Sequence, residues 1–154
     1  MKTAKTLTTL IIAVLVTTTI HSCKKYNEGG FVSNTEKRLT AHSWKLSKYL
    51  RNGNDETYTL YIKNYQENYS GNSGGSYFRS YNDKSWDFES ELGSWAFIKD
   101  QKKLIISGVS SMEISKQSGT VSSSYYNILK LDKDEFWYYF ENGGDVHEFR
   151  FVTK

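Results

Sequence analysis

Few residues in this chain have the type and spacing that chemistry requires. Beyond residue 23 there are two histidines, His42 and His147, and no cysteine, so metal sites and nucleophile–base pairs are hard to assemble. The two histidines are far from metal-pair spacing, and no nucleophile–base set can be assembled from the residues present. His147 shares strand parity with Phe149 and Phe151, so its ring should point to the same side as theirs. There it reads as a hydrogen-bonded interior or rim residue rather than a general base. Asp87, Glu89 and Glu91 alternate along one strand face, the arrangement that paired carboxylates or calcium oxygens would need. Opposite Trp86 and Phe88, they read as a solvated face. Asp132-Lys133-Asp134-Glu135 holds fragments of a calcium loop without the following glycine or the distal glutamate, and reads as a tight turn. The Gly/Ser run from Ser70 to Ser76 lacks the lysine ending and the helix of a phosphate loop. The expectation is a non-enzyme with no catalytic residue, no metal site and no cofactor.

The elements that position these residues begin after a leader. Lys2 and Lys5 form a charged start, Thr6 to Ile20 is uncharged and apolar or threonine-rich, and Ile20-His21-Ser22-Cys23 closes it. The apolar stretch falls short of the roughly 20 residues that span a bilayer. Residues 1–22 are therefore expected to be an export signal. The closing four residues resemble the lipobox of bacterial lipoproteins. The resemblance implies cleavage before Cys23, acylation of that cysteine with palmitate-type chains, and attachment to a membrane of the cell envelope. Lys24 follows Cys23 where an aspartate is associated with inner-membrane retention in similar lipoproteins, so the outer membrane is expected. Residues 23–32, with Gly29-Gly30 and no periodicity, read as a lipidated tether wandering about 15–20 Å.

Residues 23–154 are one domain's worth of chain, expected to bury roughly two-thirds of its unfolded surface in a single core, with the barrel domain itself expected over residues 33–154. The leader holds two of the 20 basic residues and none of the 17 acidic ones, which leaves 18 against 17. With no basic run longer than two residues, nucleic acid is not an expected partner. All twelve tyrosines, eight phenylalanines and four tryptophans lie beyond the leader, an aromatic load that must fill a core or line a binding surface. Ser33 followed by Glu36 has the form of a capping box, predicting a short helix from Asn34 to His42 anchored by Leu39. From Trp44 onward the period is two. Trp44/Leu46, Tyr58/Leu60/Ile62, Trp86/Phe88, Trp95/Phe97, Leu104/Ile106, Leu129/Leu131, Phe136/Tyr138/Phe140 and Phe149/Phe151 each form the apolar face of a strand. Breaks at Asn52-Gly53, at Gly71 to Gly75, at Asp132 to Asp134 and at Asn142 to Asp145 supply hairpin turns. Short antiparallel strands without intervening helices predict an all-β fold. Because closure abolishes edges, an up-and-down barrel of about eight strands is preferred.

Leu39-Thr40-Ala41-His42-Ser43-Trp44-Lys45-Leu46, Gly93-Ser94-Trp95-Ala96-Phe97, Lys103-Leu104-Ile105-Ile106, Tyr126 to Leu131 and Glu135 to Phe140 together resemble the small lipocalin-like lipoproteins of double-membrane bacteria. The resemblance implies a barrel whose closed base carries Trp44, covered by Arg150, with His42 standing two positions before Trp44 in place of a glycine. It also implies a small amphipathic or hydrophobic ligand. By parity, Trp86, Trp95, Phe97, Tyr138, Phe149 and Phe151 are expected to line its site, with His147 as a polar contact. The alternative is a non-catalytic interaction subunit or glycan-binding module of an envelope complex. That module would dock through outer aromatics such as Trp137 and Tyr139, or the tyrosines Tyr65, Tyr69, Tyr77 and Tyr81.

Overall fold

Residues 26–29, 34–72 and 74–154 are described by the structure, a computed structural model. The leader 1–22, Cys23, Ser33 and most of the expected tether lie outside the described residues. Among the described residues one short helix, α1 (Thr35–Thr40), precedes eleven strands. These are β1 (Ser43–Arg51), β2 (Asn54–Asp55), β3 (Lys63–Gly71), β4 (Gly74–Asn82), β5 (Phe88–Ile98), β6 (Lys103–Ser107), β7 (Met112–Ser115), β8 (Gly119–Val121), β9 (Tyr125–Leu131), β10 (Glu135–Asn142) and β11 (Asp145–Thr153). Eight of them pair antiparallel in the order β1-β3-β4-β5-β6-β9-β10-β11, and β11 pairs back onto β1 along Trp44↔Thr153 to Arg51↔His147. The sheet is a closed barrel. Strand β2 folds back on the end of β1, and β7 pairs with β8 in a separate hairpin between β6 and β9.

Turn chemistry explains much of the meander. Gly143 and Gly144 (φ 63° and 89°) join β10 to β11, and Asn52 and Gly53 (φ 51° and 81°) join β1 to β2. Two successive left-handed residues match the twist of the strands they connect. Inward faces meet in one aromatic-rich core, with Trp44, Tyr49, Leu104, Phe136, Tyr138, Phe149 and Phe151 all essentially sealed from solvent.

Several local expectations are corrected. The helix starts at Thr35 and ends at Thr40, its N-cap is Asn34 without a side-chain cap bond, and the Glu36 carboxylate accepts from Gln101 Nε2 at 3.4 Å. Leu39 is fully buried and its carbonyl accepts from Trp44 Nε1 at 2.8 Å, so α1 is fastened over one end of the barrel. Tyr58, Leu60 and Ile62 are not on a strand: Thr57–Thr59 is a turn of 3-10 helix, Tyr58 is exposed, and Leu60 and Ile62 bury the loop that leads into β3. In β9 the register shifts opposite Trp137/Tyr138, so Ile128 and Leu131 face inward and Leu129 does not share their face. A shift between Leu46 and Lys48 likewise hands the inward role from Trp44 to Tyr49. Each bulge inserts one residue and reverses the parity beyond it. The tether expectation is corrected at Tyr26–Gly29. Tyr26 is buried and donates its hydroxyl to the Gln101 carbonyl at 2.9 Å, while Glu28 N donates to Leu129 O and Leu131 N to Gly29 O.

Trp44→Ala should lower the unfolding free energy by about 3–5 kcal/mol in urea titrations, the cost of a large core cavity. Trp86→Ala, at a site 66% exposed, should stay within about 0.5 kcal/mol of the parent. Equal losses would mean that the inward and outward faces are misassigned.

Candidate functional site

At the centre of the barrel stands a carboxylate that the sequence does not advertise. Glu67, on β3, is wholly buried and accepts four tyrosine hydroxyls. Tyr65, Tyr77 and Tyr138 donate to Oε1 at 2.8, 2.9 and 2.7 Å, and Tyr69 donates to Oε2 at 2.7 Å. An ionised carboxylate has about two acceptor positions on each oxygen, so three donors crowd Oε1 while Oε2 receives one. Burial pushes its carboxyl above the ordinary range while the four hydroxyls pull in the opposite direction. Burial, followed by the nearby Glu67 charge, holds the hydroxyls of Tyr65, Tyr69, Tyr77 and Tyr138 well above the usual tyrosine range, so they remain donors. Period two places Tyr65, Glu67 and Tyr69 on one face of β3, and that Tyr-x-Glu-x-Tyr spacing is the signal that could have found the cluster.

Beside the cluster, toward the end away from α1, lies the space under the β7–β8 hairpin. The hairpin seats Met112, Ile114 and Val121 in the mouth, all buried. Ile114 O accepts from Tyr61 N at 2.7 Å, and Ser118 Oγ meets the Tyr49 hydroxyl at 2.7 Å. Tyr49 in turn lies 2.7 Å from His147 Nδ1, so a chain of three polar groups ties the hairpin to the wall. Burial holds the His147 pKa below its ordinary value, which favours the neutral ring that accepts from Tyr49. Beneath the hairpin a void of about 20 Å³ is lined by Tyr65, Arg79, Tyr126, Tyr138, Phe140 and Phe149 among others. That is water-sized. Arg79 is 5% exposed; its Nη2 donates to Ser110 O at 2.6 Å and pairs with Glu91, and its Nε has no hydrogen-bond partner among the described residues.

The residues expected to line one site are divided among different places. Tyr138, Phe149 and Phe151 are buried at mid-barrel, and His147 is buried near the hairpin. Trp95 and Phe97 pack edge-to-face toward the α1 end, with Trp95 Nε1 donating to Ser70 O. Trp86 is corrected outright: it sits exposed in the β4–β5 turn, and Phe88 is 68% exposed on the outer face. Since β5 runs unbroken from 88 to 98, an inward Trp95 forces Phe88 outward. The same parity overturns the solvated reading of Glu91, which turns inward to Arg79. Arg150 does not cover Trp44. Lying between inward Phe149 and Phe151, it points outward, where its guanidinium stacks 4.1 Å over the Trp137 ring. Lys130 lies 4.7 Å from that ring. Tyr65, Tyr69 and Tyr77, considered for an outer surface, are interior, while Tyr81 is half-buried and packs against the core. Among the described residues no group of three His, Cys, Asp or Glu side chains is placed to hold a metal.

Because the folded-state pKa of Glu67 is raised, its contribution to stability is greatest below the unfolded carboxyl value of 4.5 and is lost as pH rises through the folded value. Glu67→Gln should therefore gain stability relative to the parent as pH rises above about 4.5, by about 1.4 kcal/mol for each tenfold fall in proton concentration, and level off once the folded parent has ionised. The lowered His147 pKa acts in the opposite sense, being lost as pH falls below 6.5, and is common to both proteins. Urea titrations across pH in which the difference between the two proteins stays flat would refute a perturbed Glu67.

No protein-family profile matches the chain, and no curated protein matches it. Among solved structures it is similar to japanin from Rhipicephalus appendiculatus bound to cholesterol, at 9% identity and a TM-score of 0.51, over 75% of this chain and 76% of that one. At that identity the likeness concerns fold alone, and the chain has a lipocalin-like barrel.

Proposed function

We propose that this protein is a non-catalytic lipoprotein, anchored through acylated Cys23 to the envelope, most naturally the outer membrane, whose barrel takes a small amphipathic ligand at the mouth covered by β7–β8. The observation that carries this reading is the hairpin itself. It belongs to no barrel strand pair, fills the mouth with three apolar side chains, and covers a buried arginine with an unused donor beside aromatic walls. Displacing the hairpin would uncover a largely aromatic cup beside the Arg79–Glu91 pair, in which Arg79 Nε is a donor without a partner, which suits a ligand with an apolar body and an acceptor-bearing head. The similar barrel whose structure holds cholesterol supports the apolar half of that description.

A second reading has its own observation. Phe88 and Leu92 on β5, with Trp86 in the adjoining turn, are 68%, 71% and 66% exposed, and Leu92 pairs across from Phe78. An outward apolar strip of this kind suits an interaction subunit docking on an envelope protein or glycan.

Titration of the full chain with a fluorescent fatty acid and with cholesterol separates the two. Under the first reading binding saturates, Met112→Ala speeds probe entry several-fold, Arg79→Gln weakens the fatty acid about tenfold, and Phe88→Ala changes neither. Absence of binding to both probes, in the parent and in Met112→Ala, would sink the ligand reading.

A further inference from the structure

The docked segment Tyr26–Gly29 fixes where the anchor leaves the barrel. Gly29 bridges Lys130 in parallel, so the segment continues the sheet along the stretch of β9 that β6 leaves unpaired. Its Tyr26 ring is buried, and burial raises that hydroxyl to about 12. The acceptor for Tyr26, Gln101 O, lies in a turn where Lys99, Asp100 and Gln101 all have left-handed φ (49°, 54° and 63°), a conformation L-residues rarely hold in succession. Beside this contact opens a cleft of about 250 Å³ lined by Tyr26, Asn27, Lys99, Lys102, Lys103, Asn127, Leu129 and Tyr139 among others. Lys99, Lys102 and Lys103 form no ion pair with a described carboxylate, and Lys24 and Lys25 precede Tyr26 in sequence.

Three residues from Cys23 to Tyr26 span at most about 10 Å. We infer that the lysine-lined flank beside Tyr26 is the membrane-facing surface, that its cleft takes the phosphate of an anionic phospholipid headgroup, and that the hairpin-covered mouth points away from the bilayer. This rests on the reading that Cys23 carries lipid. Charge complementarity selects the occupant: the three lysines of the cleft, with Lys24 and Lys25 next in sequence to Tyr26, outnumber Glu28, Asp100 and the Glu36 that Gln101 contacts, and leave an excess of positive charge at the point where the acyl chains must enter the membrane.

Acylated full-length protein in vesicles tests it, since acylation of Cys23 leaves an introduced cysteine as the sole thiol. A fluorophore on Asn127→Cys should be quenched several-fold more by headgroup-nitroxide lipid than one on Ser85→Cys in the β4–β5 turn. The excess should appear in phosphatidylglycerol-containing vesicles, weaken in pure phosphatidylcholine or at high salt, and vanish in Lys99→Glu/Lys102→Glu/Lys103→Glu. Equal quenching at both positions, indifference to the triple variant, or loss of quenching to millimolar inorganic phosphate in pure phosphatidylcholine as readily as in anionic vesicles would overturn the proposal. Intact mass reads acylation separately. Absent acyl chains overturn the anchor and this orientation together, whereas acylated protein with an unquenched Asn127 label overturns the orientation alone.

Discussion

The interior of this barrel is organised by one carboxylate. Glu67 receives hydroxyls from two neighbouring positions on its own strand, from Tyr77 on β4 and from Tyr138 on β10. Strand β10 is not a sheet neighbour of β3, so the Tyr138 bond spans the lumen and ties facing walls. An isolated buried charge costs several kcal/mol, and four unmatched buried hydroxyls would each cost about 1–3. Neither set is tolerable without the other. Their mutual satisfaction makes the centre of the barrel a fixed polar knot rather than a compressible apolar space.

That knot divides the lumen. On the α1 side the space is filled: Trp44 packs on Phe136, Tyr69 meets both Trp95 and Phe136 edge-on, and Leu39 and Tyr26 close the end. On the other side the filling comes from outside the barrel sheet, through Met112, Ile114 and Val121 of the hairpin. The two ends therefore differ in kind. One is sealed by side chains of barrel strands and by a helix bonded to Trp44, the other by a separate element that could move without breaking a barrel ladder.

How much of this could be read from the sequence follows from the same physics. Strands β10 and β11 were legible because Phe136/Tyr138/Phe140 and His147/Phe149/Phe151 keep period two against each other without interruption. Strands β3 and β4 were not, because Glu67 and Arg79 occupy inward positions opposite each other and break the apolar alternation that marks a buried face. Leu129 failed through a bulge, which cannot be seen without the partner strand. Trp86, Phe88, Trp95 and Phe97 could not all have faced the lumen once a single strand carried 88 to 98. Parity within one element settles such a conflict, but the element's length had to be known first. The Arg79–Glu91 pair is a contact between strands that the sequence separates by a turn, and no local pattern announces it.

These constraints also bear on what the proposed ligand could be. On the α1 side of Glu67 the described interior is packed with aromatic rings, and on the other side the void under the hairpin holds about one water. Under that proposal space would have to come from the three hairpin side chains, whose burial contributes roughly 1.5–3 kcal/mol each, so an open mouth would be a minor state that a ligand stabilises only by replacing those contacts. Apparent affinity is reduced by the fraction of molecules that are open. The knot sets the floor of the cup, and the Glu67 carboxyl lies close beneath the lining residues Tyr65 and Tyr138. A polar head in such a cup would be met by the Arg79 Nε donor, with the apolar body taking the place of Met112, Ile114 and Val121. A cargo bound that way would be shallow, with part of it left at the rim.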